Sequence, residues 1–162
     1  MANKLASDGL KLLASVLICQ AAGFIGSVFT NQSIQTWYPT LKKPAFNPPN
    51  WLFAPVWITL FLLMGIALFL VWRAGIQNHA VKNALIVFAV QLILNMSWSF
   101  LFFGLRSPVL GLIDIILLWI FILITIFSFS LVSSVSSILL LPYLLWVSFA
   151  AVLNFFLWRL NP

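Results

Sequence analysis

Apolar residues gather in five blocks along the chain, at about 10–29, 51–72, 80–103, 109–131 and 138–158. Each is near the ~20 residues that an α-helix needs to cross a bilayer core. None alternates apolar with polar residues in the manner of a barrel strand, so helices must satisfy the backbone in lipid. Short polar punctuation separates the blocks. Lys11 stands at the edge of the first, within snorkelling reach of water. The second stops at Arg73, the third at Gly104-Leu105-Arg106-Ser107-Pro108, and the fifth at Arg159. Ser133, Ser134, Ser136 and Ser137 mark the turn after the fourth. Three connections are short and predict antiparallel neighbours. Only the first, about 30–50, is long. The pattern predicts an all-α bundle of five transmembrane helices forming a single domain over 1–162, with the termini on opposite sides. Pro55 and Pro142 are expected in the first turns of their helices, where a missing N–H costs little.

Composition agrees with this pattern. The chain is 64% hydrophobic and 6% charged, where a soluble domain carries about 25% charged residues. An integral membrane protein follows, with no soluble domain left over. The net charge of +6 comes from only eight Lys and Arg. These are scattered over loops and ends, which reads as contact with lipid headgroups and not with nucleic acid. Lys4, Lys11, Arg73 and Lys82 fall on one side and Lys42, Lys43, Arg106 and Arg159 on the other, so charge does not fix the orientation. The single cysteine, Cys19, allows no internal disulfide. With no targeting extension in view, the expected location is a bacterial-type cell membrane.

The spans carry polar groups that cost free energy at membrane depth and therefore need a role. Gln91, Asn95, Trp98 and Phe102 share one helical face, as do Tyr143, Trp146, Ala150 and Asn154. Asn and Gln at such positions serve either as interhelical hydrogen-bond glue or as pocket groups. Asp114 is the only acidic residue inside a span. It lies about a turn into its helix, where it either snorkels or caps, or takes a ligand-side or gating role. Trp51, Trp72 and Trp158 lie at span ends as interface-belt residues. Trp57, Trp98 and Trp146 lie deeper, as packing or as the wall of a flat aromatic pocket. Ala22-x-x-x-Gly26 and Ala80-x-x-x-Ala84 suit close helix contacts, including a homodimer. Metal and acid–base chemistry lack their parts: His79 is the only histidine, there are two carboxylates in all, and no lysine lies deep in a span. No metal site and no required cofactor are expected.

The long loop is specific. Trp37-Tyr38, Leu41-Lys42-Lys43-Pro44, Phe46, Pro48-Pro49, Trp51 and Pro55-Val56-Trp57 closely resemble the translocator protein family, also called the tryptophan-rich sensory proteins (TspO) or peripheral-type benzodiazepine receptors. The likeness continues through Met64-Gly65, Asn95, Trp98, Phe102-Phe103-Gly104, Pro142-Tyr143-Leu144, Trp146, Phe149-Ala150 and Leu153-Asn154, nearly the whole chain.

That resemblance implies a five-helix bundle with a pocket near the first-loop side, binding porphyrins, sterols and aromatic drug-like ligands. Trp57 and Trp146 match the two pocket tryptophans linked to porphyrin chemistry. Ala54, Ala150 and Leu153 match pocket walls, Asn95 and Asp114 match polar positions, and Gly23 and Gly26 match the small-residue face of the first helix. Two positions depart from the animal pattern. Phe155 follows Leu153-Asn154 where the sterol stretch has tyrosine, and Leu110 replaces a tryptophan at the start of the fourth helix. The loop, stiffened by Pro44, Pro48 and Pro49, is expected to act as a lid. In it Trp37, Tyr38, Phe46 and Trp51 would cover a flat ring, while Lys42 and Lys43 meet either porphyrin propionates or lipid phosphate. The expected ligand set is thus Trp37, Tyr38, Trp51, Ala54, Trp57, Asn95, Trp98, Asp114, Tyr143, Trp146, Ala150 and Leu153. The expected function is a membrane receptor or sensor for tetrapyrroles (protoporphyrin IX or haem), moving or clearing them. The alternatives are light-dependent porphyrin degradation through Trp57 and Trp146, or lipid or sterol transport.

Overall fold

The computed structural model describes residues 2–162, with side chains from Leu5 onward. Its helices are α1 (Ala2–Ser33), α2 (Asn50–Trp72), α3 (His79–Ser99), α4 (Pro108–Ser130), α5 (Ser134–Leu139) and α6 (Leu141–Leu160). A π-helical turn, Phe100–Gly104, extends α3, and a 3₁₀ turn, Tyr38–Thr40, lies in the first loop. The described residues contain no strand. Five helical stretches are long and apolar enough to cross a membrane: Leu5–Ser33, Asn50–Trp72, His79–Gly104, Pro108–Ser130 and Ser134–Leu160.

Local chemistry explains the boundaries. Asn78, Ser107 and Ser133 each accept a hydrogen bond from a backbone N–H of the helix they precede, the usual N-cap device. Pro108 follows its cap at the start of α4, where its fixed φ suits a helix. The serine turn is tighter than expected, because Ser134 already begins α5 and the fifth span is two helices. Pro142, in the first turn of α6, cannot donate toward Ile138 and its ring crowds that carbonyl, which breaks the run at Leu140. Pro55 sits inside α2, beyond its first turn. Gly75, with φ of 100°, makes the tight reversal between α2 and α3 that a Cβ would strain.

Helix α1 runs toward the first loop, α2 away, α3 toward it, α4 away, and α5–α6 toward it. The first loop, the α3–α4 connection and the C-terminus therefore share one end. Helix α1 packs on α2 and α3, α3 on α4, α4 on α6, and α2 on α5. The main core lies away from the loop, around Met64, Ala67, Val71, Val81, Ala84, Phe88, Leu118, Ile122, Phe129 and Val147. Here α1 and α2 come closest: a Cβ on Gly65 would stand 2.7 Å from Val16 Cα. The small-residue patterns serve this interior. Ala22 and Ala84 are buried within the chain, so their faces are already used inside the bundle.

Candidate functional site

Toward the loop the helices spread. Between α2 and α6 large side chains bridge the space, with Phe53 on Trp146 at 6.0 Å and Trp57 on Tyr143 at 6.3 Å between ring centroids. The result is a cavity of about 660 Å³ among α1, α2, α3 and α6, within the ~300–1,000 Å³ of small-molecule sites. Trp57, Trp98, Trp146, Phe53, Phe61 and Phe102 give it an aromatic wall. Phe24 and Ile58 line it too, yet are 72% and 60% exposed. The seam between α1 and α2 is therefore open toward the lipid side. Among the described residues, no Lys, Arg, His, Asp or Glu lines the cavity.

The rigid side of the wall is α3. Trp98 stacks on Phe102 at 5.2 Å and 19°, and its indole N–H donates to Asn154 Oδ1 at 3.1 Å. Asn154 Nδ2 donates in turn to the carbonyl of Pro108 at 2.7 Å. Asn154 is thus interhelical glue, tying α6 to α3 and α4. Behind the wall, Asn95 Nδ2 donates to the Tyr143 hydroxyl at 2.8 Å, and that hydroxyl donates to Gln91 Oε1 at 3.1 Å. Among the described residues, the buried indole N–H of Trp146 has no hydrogen-bond partner. That N–H is covered by the protein, and an unpaired buried donor costs free energy.

Of the expected ligand residues, Tyr38, Trp51, Ala54, Trp57, Asn95, Trp98, Trp146, Ala150 and Leu153 line the cavity. Gly23 and Gly26 line it as well; a Cβ on Gly23 would meet the Phe61 ring at 2.5 Å and one on Gly26 would meet Ser99 Oγ at 3.1 Å. Tyr143 and Trp37 do not line it. Tyr143 lies one layer behind, holding Asn95, and Trp37 packs edge-on against Phe102 at 5.6 Å. Asp114 does not line it either. It is 5% exposed with one carboxyl oxygen unpartnered among the described residues, so it does not snorkel.

The loop is arranged differently from the expected lid. Phe46 packs on Phe149 and Phe156 of α6 at 6.3 and 5.4 Å, and neither it nor Pro44, Pro48 or Pro49 lines the cavity. The Lys43 ammonium sits 4.5 Å over the Tyr38 ring, a cation–π contact. Lys42 is fastened through its backbone: its N–H donates to Asn161 Oδ1 at 2.9 Å, and its carbonyl accepts from Asn161 Nδ2 at 3.0 Å. Tyr38 is the loop's anchor and its contribution to the wall. Its hydroxyl donates to Asn47 Oδ1 at 2.7 Å, and burial pushes its pKa up to about 12.

Sequence reasoning missed the first helix. Gln20, Ser27, Thr30, Asn31, Ile34 and Gln35 all line the cavity. Gln20, Ser27 and Asn31 recur at helical spacing along an otherwise apolar block, a signal present in the sequence and hidden by its high mean hydropathy, while Ile34 and Gln35 lie in the turn after α1.

Fold and cavity together define a multi-pass membrane protein with an internal, aromatic-walled space for a small molecule. The TspO/MBR family model matches residues 15–159, and the chain belongs to that family. It is 50% identical to the tryptophan-rich protein TspO of Chlorobaculum tepidum, over 94% of this chain and 97% of that protein. It is 38% identical to the translocator protein of Homo sapiens, over 85% and 82%. It is 35% identical to the tryptophan-rich sensory protein of Cereibacter sphaeroides, over 95% and 93%.

Proposed function

We propose that the protein is a membrane receptor for tetrapyrroles, such as protoporphyrin IX or haem precursors, and for related flat aromatic molecules, in a bacterial-type cell membrane. The observation that carries this reading is the cavity itself, with Trp57, Trp98 and Trp146 converging on one uncharged space. Tryptophan offers a broad π-face for a flat ring. The names of two relatives speak of translocation and of sensing. In either activity the bound ring is the first step, and the porphyrin is a ligand and not a resident cofactor. The seam beside Phe24 and Ile58 gives an apolar molecule a path from lipid.

Titration with protoporphyrin IX in lipid nanodiscs, in the dark, tests this through tryptophan emission. Saturable quenching at a single site per chain is the expected result. Linear quenching equal to that of empty discs with free tryptophan would sink the proposal.

A second reading, light-dependent porphyrin breakdown, is favoured by the presence of both Trp57 and Trp146 on the same wall. It needs dioxygen and the ligand's own absorption of light. Bleaching under illumination that slows in Trp57→Phe and Trp146→Phe would support it; equal bleaching in both variants and in detergent alone would remove it.

A further inference from the structure

Helix α1 brings polar residues to the cavity that the bundle does not use. Gln20 Nε2 donates to the Ile58 carbonyl at 3.0 Å, Ser27 Oγ to Phe24 O at 2.7 Å, and Thr30 Oγ1 to Gly26 O at 3.4 Å. Those donors are occupied. Asn31 and Gln35 line the cavity, and among the described residues their side chains form no hydrogen bond with the protein. Asn31 lies in the last turn of α1 and Gln35 in the turn that follows Ser33, both exposed at the loop end of the cavity. Asn50, at the start of α2, lines the same space. An amide supplies two N–H donors and a carbonyl acceptor, a match for a carboxyl, carboxylate or carbonyl edge. Neither loop lysine lines the cavity: the Lys43 ammonium lies over the Tyr38 ring, and Lys42, held to Asn161 through its backbone, has an exposed side chain.

We infer that Asn31 and Gln35 are the specificity-determining residues of the cavity, reading the oxygen-bearing edge of a flat ligand whose ring lies against the tryptophan wall. Recognition of that edge is by neutral amides and not by Lys42 and Lys43. This rests on the flat-ring reading above and adds an orientation to it: ring toward Trp57 and Trp146, oxygens toward the α1 end beside the loop.

Two porphyrins test it. Protoporphyrin IX carries two propionates, and etioporphyrin has the same ring with alkyl groups only. In the unaltered protein, protoporphyrin IX should bind about tenfold more tightly than etioporphyrin, as expected for one or two net hydrogen bonds. Asn31→Leu/Gln35→Leu, with helicity checked by circular dichroism, should bring that ratio close to unity while etioporphyrin affinity stays within about twofold. Asn31→Ala/Gln35→Ala should do the same without added bulk. Lys42→Gln/Lys43→Gln should leave the ratio unchanged. An unchanged ratio in the α1 variants, or a ratio lost in the lysine variant, overturns this inference and leaves the flat-ring site standing. Failure of both porphyrins to bind the unaltered protein saturably overturns both.

Discussion

Trp146 packs against two aromatic neighbours, Phe53 at 6.0 Å and Phe149 at 5.5 Å between ring centroids. Its ring is wall, while its N–H is buried and unpaired. Replacing it with alanine removes stacking area. Trp146→Ala should weaken protoporphyrin IX by about 1–3 kcal/mol, the range for a flat heteroaromatic ring on an aromatic side chain, with far-ultraviolet circular dichroism unchanged. Trp98 is different, because its N–H belongs to Asn154. Trp98→Phe keeps a ring but strands that buried amide oxygen, so its first effect should be on stability, a loss of about 1–3 kcal/mol seen as a lower thermal midpoint in detergent. Unequal responses of these two tryptophans would confirm that wall and scaffold are separate duties.

Among the helices, the cavity depends on α1 and α2 meeting tightly at one end and parting at the other. The contact end is set by Gly65, whose missing Cβ admits the Val16 backbone. Gly65→Ala meets main chain, which cannot swing aside as a side chain would. The pair must separate, at a cost of about 1–3 kcal/mol for overpacking. A lowered melting temperature together with weakened porphyrin binding is expected; a variant as stable as the parent would refute the close approach. At the other end, Ser33 Oγ donates to the Phe103 carbonyl at 2.8 Å, fixing the end of α1 to the π-helical turn after α3. A π turn shifts the backbone bonding register, and here one of its carbonyls receives a side chain from another helix.

For the molecule as a whole, the first loop is clamped to the C-terminal end of the chain. Asn161 bonds Lys42 in both directions and donates to the Leu157 carbonyl, while Phe46 grips α6 from outside. Asn161→Ala should release the segment around Lys42 and Lys43, read as faster trypsin cleavage after Lys42 in nanodiscs. A cleavage rate equal to the parent's would show that Phe46 alone suffices. Tyr38 holds the inner edge of the same loop. Its pKa is raised to about 12, so its hydroxyl donates to Asn47 throughout neutral pH. That support is whole below the ordinary tyrosine value near 10 and fades as pH climbs through about 12. Loop cleavage should therefore show no Tyr38-dependent step between about pH 7 and 9.

The sequence by itself determined that the chain is a five-span helical membrane protein, because block length and apolar content answer to bilayer thickness and backbone desolvation, which need no tertiary information. Its motifs also carried the family, and they named Ala54, Trp57, Trp98, Trp146, Ala150 and Leu153, which line one cavity. What it could not supply is which face of each element turns inward. Tyr143 lies one turn from Trp146 on α6 and Asp114 is buried on α4, but neither lines the cavity, because the rotation of each helix turns its side chain elsewhere. Phe46 and the loop lysines looked like a lid because proline and aromatic content mark stiffness and not direction; packing against α6 sent them outward. Asn31, in the last turn of α1, and Gln35, just beyond its end at Ser33, reach the cavity only because α1 and α2 meet at Gly65 and part toward the loop, since sequence spacing can place polar groups near one another but only the neighbouring helices decide what they face.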